Sequence, residues 1–249
     1  MVAIIAKVVG SLSTAILTFA SARNMLETTH ITSLVQNEKD SIEKILEQRF
    51  DPLLTQYISN DDSGNLFVCP KGKCSTEILE DLKKMKRKDL LLLFLLCDAP
   101  LDEKDIHGDW DGVLLNNNSV LTTVSGFITN QLFGRKYGNW RGKTFGSSDS
   151  EGSIGMNRFD DEKGGDAQTP KITKEHSFAY SITDSKFLGQ GVLLDYCAYQ
   201  GFLSPWKSMK DEVRVLKAPT ERDGVLLGFG SLGWSGGFLN SQPFCLIQE

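Results

Sequence analysis

Apolar residues follow two different periodicities, and the change divides the chain. Over Ile31–Ile58 they recur three or four residues apart, the spacing that gathers them on one face of a helix. Pro52 is expected to end or kink a helix there, because proline lacks the amide that a helix interior needs. The run DLLLLFLLC, residues 89–97, is too short to span a bilayer and is expected to form a buried helix. The pattern predicts a mostly helical region over residues 1–104.

After residue 105 the chain consists of short apolar segments separated by turn residues. Only three of the 23 glycines precede this point, at positions 10, 64 and 72. The segments are DGVLL, SVLTTVSGFI, WRGKTF, SIGMNRF, HSFAYSIT, GVLLDYCAY, DEVRVLK, GVLLGFGSLG and PFCLIQE. Short strands at nearly regular intervals are typical of antiparallel barrels and sandwiches, and about nine strands suit a small closed barrel that holds one ligand. The prediction is an α+β protein with an antiparallel β-barrel over residues 105–249.

Residues 1–22 are apolar and allow two interpretations. The segment ends in the Ala-x-Ala pattern of Ala20 and Ala22, which resembles a signal-peptide cleavage site. Lys7 interrupts the apolar run, however, and polar residues recur on one helical stripe, so an amphipathic helix that docks on the rest of the protein is the first choice. A targeting segment or a membrane-surface helix is the second. Residues 1–22 are therefore a candidate for a peripheral membrane or protein contact.

Charge and cysteine content narrow the function classes. The net charge of −5 and the pI near 5.3 give no general attraction to phosphate backbones, which argues against a nucleic-acid partner. Five cysteines are an odd set without the look of a disulfide framework, which favours an intracellular location, cytoplasm or plastid, over secretion. The three histidines are scattered, and no spacing predicts a metal site or a cofactor.

Three motifs occur in order in the strand-rich part. GDWDG (108–112) places Trp110 between two glycines and is expected to open the barrel, with the indole plugging one end. WRGKTF (140–145) and KDEVRVL (210–216) follow. This order resembles the GXWXG/DUF4334 family. GxW and LDY (194–196) are also similar to lipocalin motifs, and the Asp-Glu-x-Arg strand to plastid fibrillins. The resemblance covers residues 106–249 and implies a lipocalin-like barrel with Arg214 packed over the tryptophan.

Candidate site residues are polar or aromatic positions within these strands. The candidates for ligand binding are Trp110, Trp140, Arg158, Tyr196, Arg214 and Trp234. The candidates for catalysis are Asp195, Glu212 and His176, although a surface position at a strand end is the favoured interpretation of His176. Glu212 and Arg214 share one face of their strand, and Met209, Asp211, Val213 and Val215 share the other. If Glu212 and Arg214 point inward, burial requires that they form an ion pair, and the arginine could bind a ligand carboxylate through two hydrogen bonds. If they point outward, they belong to a solvated face.

Three functions fit this sequence. The first is a binding protein that holds a lipophilic small molecule, such as a fatty acid, lipid or pigment-like compound, in the barrel. The second is an isomerase or cyclase acting on such a compound in the same cavity, because this chemistry needs only one or two buried polar groups. The third is a scaffold or assembly protein whose barrel is filled with side chains.

Overall fold

The computed structural model describes residues 21–36, 50–60, 66–115, 139–146, 153–159, 176–202, 204–219, 223–233 and 237–248. Residues 21–36 are helical (α1). There follow α2 (Pro52–Thr55), the hairpin of β1 (Ile58–Asn60) and β2 (Leu66–Val68), α3 (Ser75–Lys84) and α4 (Arg87–Leu96). Within the described residues no helix combines the length and the apolar character that crossing a membrane requires.

Eight antiparallel strands close into a barrel, as the alternating segments predict. They are β3 (Gly108–Leu114), β4 (Trp140–Phe145), β5 (Ile154–Phe159), β6 (Ser177–Asp184), β7 (Gln190–Asp195), β8 (Met209–Lys217), β9 (Val225–Leu232) and β10 (Gln242–Ile247). Each strand pairs with the next in sequence, and β10 pairs with β3 to complete the ring. The segment SVLTTVSGFI and most of residues 1–22 lie outside the described residues.

The helices pack on the outside of the barrel. The leucines and Phe94 of α4 join a core that includes Leu227, Phe229 and Cys245 on the outer faces of β9 and β10. Because α4 is covered on all sides, its apolar run is continuous rather than amphipathic. Arg87, near the start of α4, donates to Thr28 Oγ1 (2.9 Å) on α1 and to the Ser241 carbonyl oxygen (3.1 Å). A polar contact therefore ties the first helix to the barrel as well.

A second core lies in the barrel interior. Side chains from alternate positions of the strands form it; its buried members are Ile106, Trp110, Phe145, Phe178, Tyr180, Val192, Leu194, Tyr196, Val213, Leu226, Phe244 and Leu246. The upper end of the barrel is defined here as the end at which β4 and β8 begin. Trp140 pairs with Phe159 at this end, and Met209 pairs with Leu232. The lower end carries the first residues of β3 and the last of β8.

The caged tryptophan of the GDWDG motif faces inward near the lower end. Trp110 has no exposed surface, and its indole N–H donates to the Ile106 carbonyl oxygen at 2.8 Å. The second glycine of the motif makes room for a different tryptophan, because a Cβ on Gly112 would overlap the Trp140 ring. Gly142 is needed for its backbone: it has φ +139°, and a Cβ there would overlap the Trp110 carbonyl. The glycines therefore allow β3 and β4 to approach closely around both indoles.

Candidate functional site

Strand β8 carries ionic residues on both of its faces. Met209, Val213 and Val215 pack in the barrel interior, so Asp211, which alternates with them, also points inward. Glu212 and Arg214 point outward, towards α4. The inward Asp211 and the outward Glu212 and Arg214 are all buried. Asp211 belongs to one cluster of charged and polar groups, and Glu212 and Arg214 belong to another.

The inner cluster consists of Lys143, Asn157, Tyr196 and Asp211. The Lys143 ammonium group donates to Asn157 Oδ1 (2.8 Å), Tyr196 Oη (2.6 Å) and Asp211 Oδ2 (2.8 Å). Tyr196 Oη in turn donates to Asp211 Oδ2 at 2.7 Å. Lys143 and Asp211 each have only 2% of the side chain exposed. Three acceptors use all three hydrogens of the ammonium group, so no Lys143 N–H remains for another partner.

Aromatic rings surround the lysine. The Lys143 Nζ atom lies 5.1 to 5.6 Å from the ring centres of Trp140, Phe178, Tyr196 and Phe244. These distances are within the range of cation–π attraction. The rings come from four different strands or their ends, and they separate the ion pair from solvent. The site is thus an ionic group held within an aromatic interior.

Burial shifts the pKa values of this cluster in opposite directions. Loss of solvation lowers the pKa of Lys143, and the adjacent Asp211 carboxylate works against that shift. Loss of solvation and the charge of Asp211 together raise the pKa of Tyr196 well above its ordinary value. Tyr196 therefore keeps its proton at neutral pH and remains a hydrogen-bond donor to Asp211.

One carboxylate oxygen of the inner cluster accepts no hydrogen bond from the described residues. Asp211 Oδ1 is buried and has no hydrogen-bond partner among the described residues. It faces Gly230 on the neighbouring strand, where a Cβ would lie 2.8 Å from this oxygen. A buried carboxylate oxygen without a partner is energetically costly, so an unfilled acceptor of this kind is a candidate point of contact for a ligand.

The inner cluster lies towards the upper end of the barrel. Trp140, Asn157, Met209 and Gly230 border it there, and all four are half-buried. The Trp140 indole N–H donates to Asn157 Oδ1 at 3.2 Å. Side chains nearer the lower end, including Trp110, are fully buried. The cluster therefore lies nearer the upper end, beside Trp140 and Met209.

The outer cluster is built from Glu212 and Arg214. Arg214 donates to Glu212 Oε1 (3.1 Å) and to the carbonyl oxygens of Leu95 (3.3 Å) and Cys97 (3.4 Å) at the end of α4. Its guanidinium group lies 4.6 Å from the centre of the Phe94 ring. Glu212 also accepts from Ser185 Oγ at 2.7 Å. The pair thus points away from the barrel interior but is covered by α4, which neither of the two sequence-based alternatives described.

The other candidates lie apart from the inner cluster. Asp195 accepts from the Cys197 amide and from Lys210 Nζ, both at 2.9 Å and on the outer side of the barrel. Arg158 pairs with Asp111 at 3.2 Å. The His176 ring contacts the Phe159 ring with 4.8 Å between centres. Trp234 lies outside the described residues.

Of the sequence-based candidates, Trp140 and Tyr196 come together at the inner cluster, and Trp110 lies below them in the same interior. Lys143, Asn157 and Asp211 were missed. Strand alternation offered a signal for two of them: Asp211 alternates with Val213 and Val215, and Lys143 lies two residues before Phe145. A polar residue at an inward position of an apolar strand is the pattern that would have found them.

No group of three or more metal-binding side chains is placed to hold an ion within the part of the chain that the structure describes. No model of a protein family matches the chain, and no curated protein does. Among solved structures, the fold is similar to the crystal structure of a protein from Thermomonospora curvata, with 15% identity and a TM-score of 0.44 over 70% of this chain and 95% of that one.

Proposed function

We propose that this barrel binds a lipophilic small molecule at its upper end, with the inner cluster as the polar anchor. The observation that carries the proposal is the Lys143–Asp211 ion pair, buried among aromatic rings inside the barrel. A largely apolar interior with a few convergent polar groups is the usual composition of a small-molecule site.

Stability alone gives a poor reason for such a pair. Removing two charges from water costs several kcal/mol per ion, and apolar residues of similar volume often stabilise a fold as well or better. The Lys143–Asp211 pair has no helix to anchor, because it faces the inside of the barrel. A role in orienting a ligand explains why charged groups occupy positions where leucine would pack.

The motif order supports the proposed resemblance to the GXWXG/DUF4334 family. GDWDG supplies Trp110 below the cluster, WRGKTF supplies Trp140 and Lys143, and KDEVRVL supplies Asp211. Three motifs that are far apart in sequence thus contribute side chains to one interior. In this proposal they form a binding signature rather than three separate packing motifs.

Native mass spectrometry of the purified protein, under gentle and then denaturing conditions, tests the proposal. We expect a co-purified lipophilic compound, or a mass shift after incubation with lipid and pigment extracts. The double variant Lys143→Met/Asp211→Leu is the matched control, since it keeps the barrel apolar but removes the anchor, and it should bind less. An empty spectrum with no shift after incubation would instead favour the scaffold with a filled barrel.

A further inference from the structure

Within the inner cluster, Lys143 and Tyr196 use all of their donor hydrogens. Lys143 directs its three N–H bonds to Asn157, Tyr196 and Asp211, and Tyr196 directs its hydroxyl hydrogen to Asp211 Oδ2. Asp211 Oδ1 accepts nothing from the described residues. Neither the lysine nor the tyrosine therefore has a hydrogen to offer, whereas the aspartate has one oxygen able to accept.

We propose that the bound molecule presents a hydroxyl group to Asp211 Oδ1, so that the ligands of this barrel are lipophilic alcohols. This inference rests on the proposed function and specifies its chemistry. The ligand hydroxyl donates to the oxygen that faces Gly230, and the apolar remainder extends past Trp140 and Met209 towards the upper end.

Charge balance selects a neutral donor. Lys143 and Asp211 carry opposite charges and already neutralise each other. A carboxylate ligand would bring a net negative charge into the interior. Its oxygens can only accept hydrogen bonds, so they would have no donor to pair with at Asp211 Oδ1. An alkylamine would add a second cation beside Lys143. A hydroxyl group completes the hydrogen bonding of Asp211 without changing the net charge, which is the least costly choice in a buried site.

The first test compares four probes of equal chain length: n-decanol, methyl decyl ether, decanoate and decylamine. Dissociation constants are measured by calorimetry with the full chain. We expect n-decanol to bind roughly tenfold more tightly than the ether, the factor that one hydrogen bond contributes. We expect decanoate and decylamine to bind more weakly than n-decanol. Equal binding of alcohol and ether, or tightest binding of either ion, would overturn the inference and leave the proposed function intact. Binding of no probe would count against both.

The second test changes the acceptor itself. Asp211→Asn keeps the size of the side chain, and its amide oxygen can accept from Lys143 and Tyr196 while its NH₂ group occupies the place of Oδ1. The site then offers a donor, so the preference for n-decanol over the ether should fall to about one. Asp195→Asn, the same substitution in an ion pair on the outer side, should leave the preference unchanged. An unchanged preference in Asp211→Asn would overturn the inference.

A further variant is available if Asp211→Asn does not fold. Gly230→Ala removes none of the polar groups of the cluster but puts a methyl group 2.8 Å from Asp211 Oδ1, so that this oxygen is crowded. It should abolish the preference for alcohol over ether by blocking the acceptor. Retention of the full preference would show that the hydroxyl group binds elsewhere.

Discussion

Asp211 and Glu212 are neighbours on β8, and each belongs to a buried ionic cluster on a different face of the same strand. On the outer face, Glu212 and Arg214 connect the barrel to the end of α4 and to Ser185, so each charged group has several partners. On the inner face, Lys143 and Asp211 connect strands that the barrel already holds together, and one carboxylate oxygen has no partner among the described residues.

Burial alone therefore does not identify a ligand site. Glu212 and Arg214 were reasonable candidates for chemistry, yet their contacts join the helical region to the barrel and are those of a structural clamp. Asp211 instead keeps one carboxylate oxygen without a partner among the described residues, and aromatic rings surround its counter-ion Lys143. A buried carboxylate oxygen that lacks a partner inside the barrel is what separates this candidate ligand contact from a structural ion pair.

Arg214→Ala should give the largest effect, because it leaves Glu212 buried without its cation and removes donors to two carbonyls at the end of α4. We expect the free energy of unfolding, measured by urea denaturation, to fall by about 4 kcal/mol. Arg158→Ala, which breaks a partly exposed ion pair with Asp111, is the control and should cost at most about 1 kcal/mol. Equal losses in both variants would remove the basis for regarding the outer cluster as a clamp.

Lys143→Met tests whether the inner cluster is needed for stability. The variant leaves the Asp211 charge buried without a counter-ion, so a loss of about 3 kcal/mol in the free energy of unfolding is expected. Lys143→Met/Asp211→Leu removes both charges and should recover most of that loss while ligand binding stays impaired. If the double variant is as unstable as the single one, the inner cluster is structural in the same sense as the outer one.

Gly230→Ala should destabilise moderately, by about 2 kcal/mol, because its methyl group crowds Asp211 Oδ1 in a packed interior. Gly201→Ala is the matched control: nothing lies within 4 Å of the position of its Cβ. That variant should stay within about 0.5 kcal/mol of the wild type. Thermal unfolding of the two variants side by side measures the difference, and similar melting temperatures would contradict close contact at Gly230.

Tyr196→Phe should have the smallest effect at neutral pH, about 1 kcal/mol for the lost hydrogen bonds. The pKa of Tyr196 is raised in the folded state, so its contribution to stability is complete below about pH 10, the ordinary phenol value, and declines as the pH rises above it.

The stability of the wild type relative to Tyr196→Phe should therefore decrease by about 1.4 kcal/mol per pH unit above that point. Lys143 is present in both proteins, so its own opposite titration largely cancels from the difference. Urea denaturation of both proteins at neutral and alkaline pH measures this difference in the free energy of unfolding. A difference that does not change with pH would show that Tyr196 is not protected from ionisation by the fold.

Much of the barrel could be predicted from the sequence because strand alternation and turn residues are local properties. The continuous apolar run at residues 89–97 likewise predicted a buried helix, and α4 is one. Trp140 and Tyr196 could be placed in the interior from the sequence because large rings within strands indicate a buried face. Lys143 and Asp211 were not found, because a polar residue in an alternating strand equally suits an outer face in contact with water.

The order of residues along β8 is enough to predict which of them share a face: Asp211 with Val213, and Glu212 with Arg214. The period of two follows from strand geometry and needs no partner. What each face contacts depends on how the chain folds. Barrel closure brings Asp211 to Lys143, 68 positions away in the chain, and α4 covers Arg214. These contacts arise from packing between distant segments, so the unpartnered oxygen at Asp211 became visible only when all of its neighbours were in place.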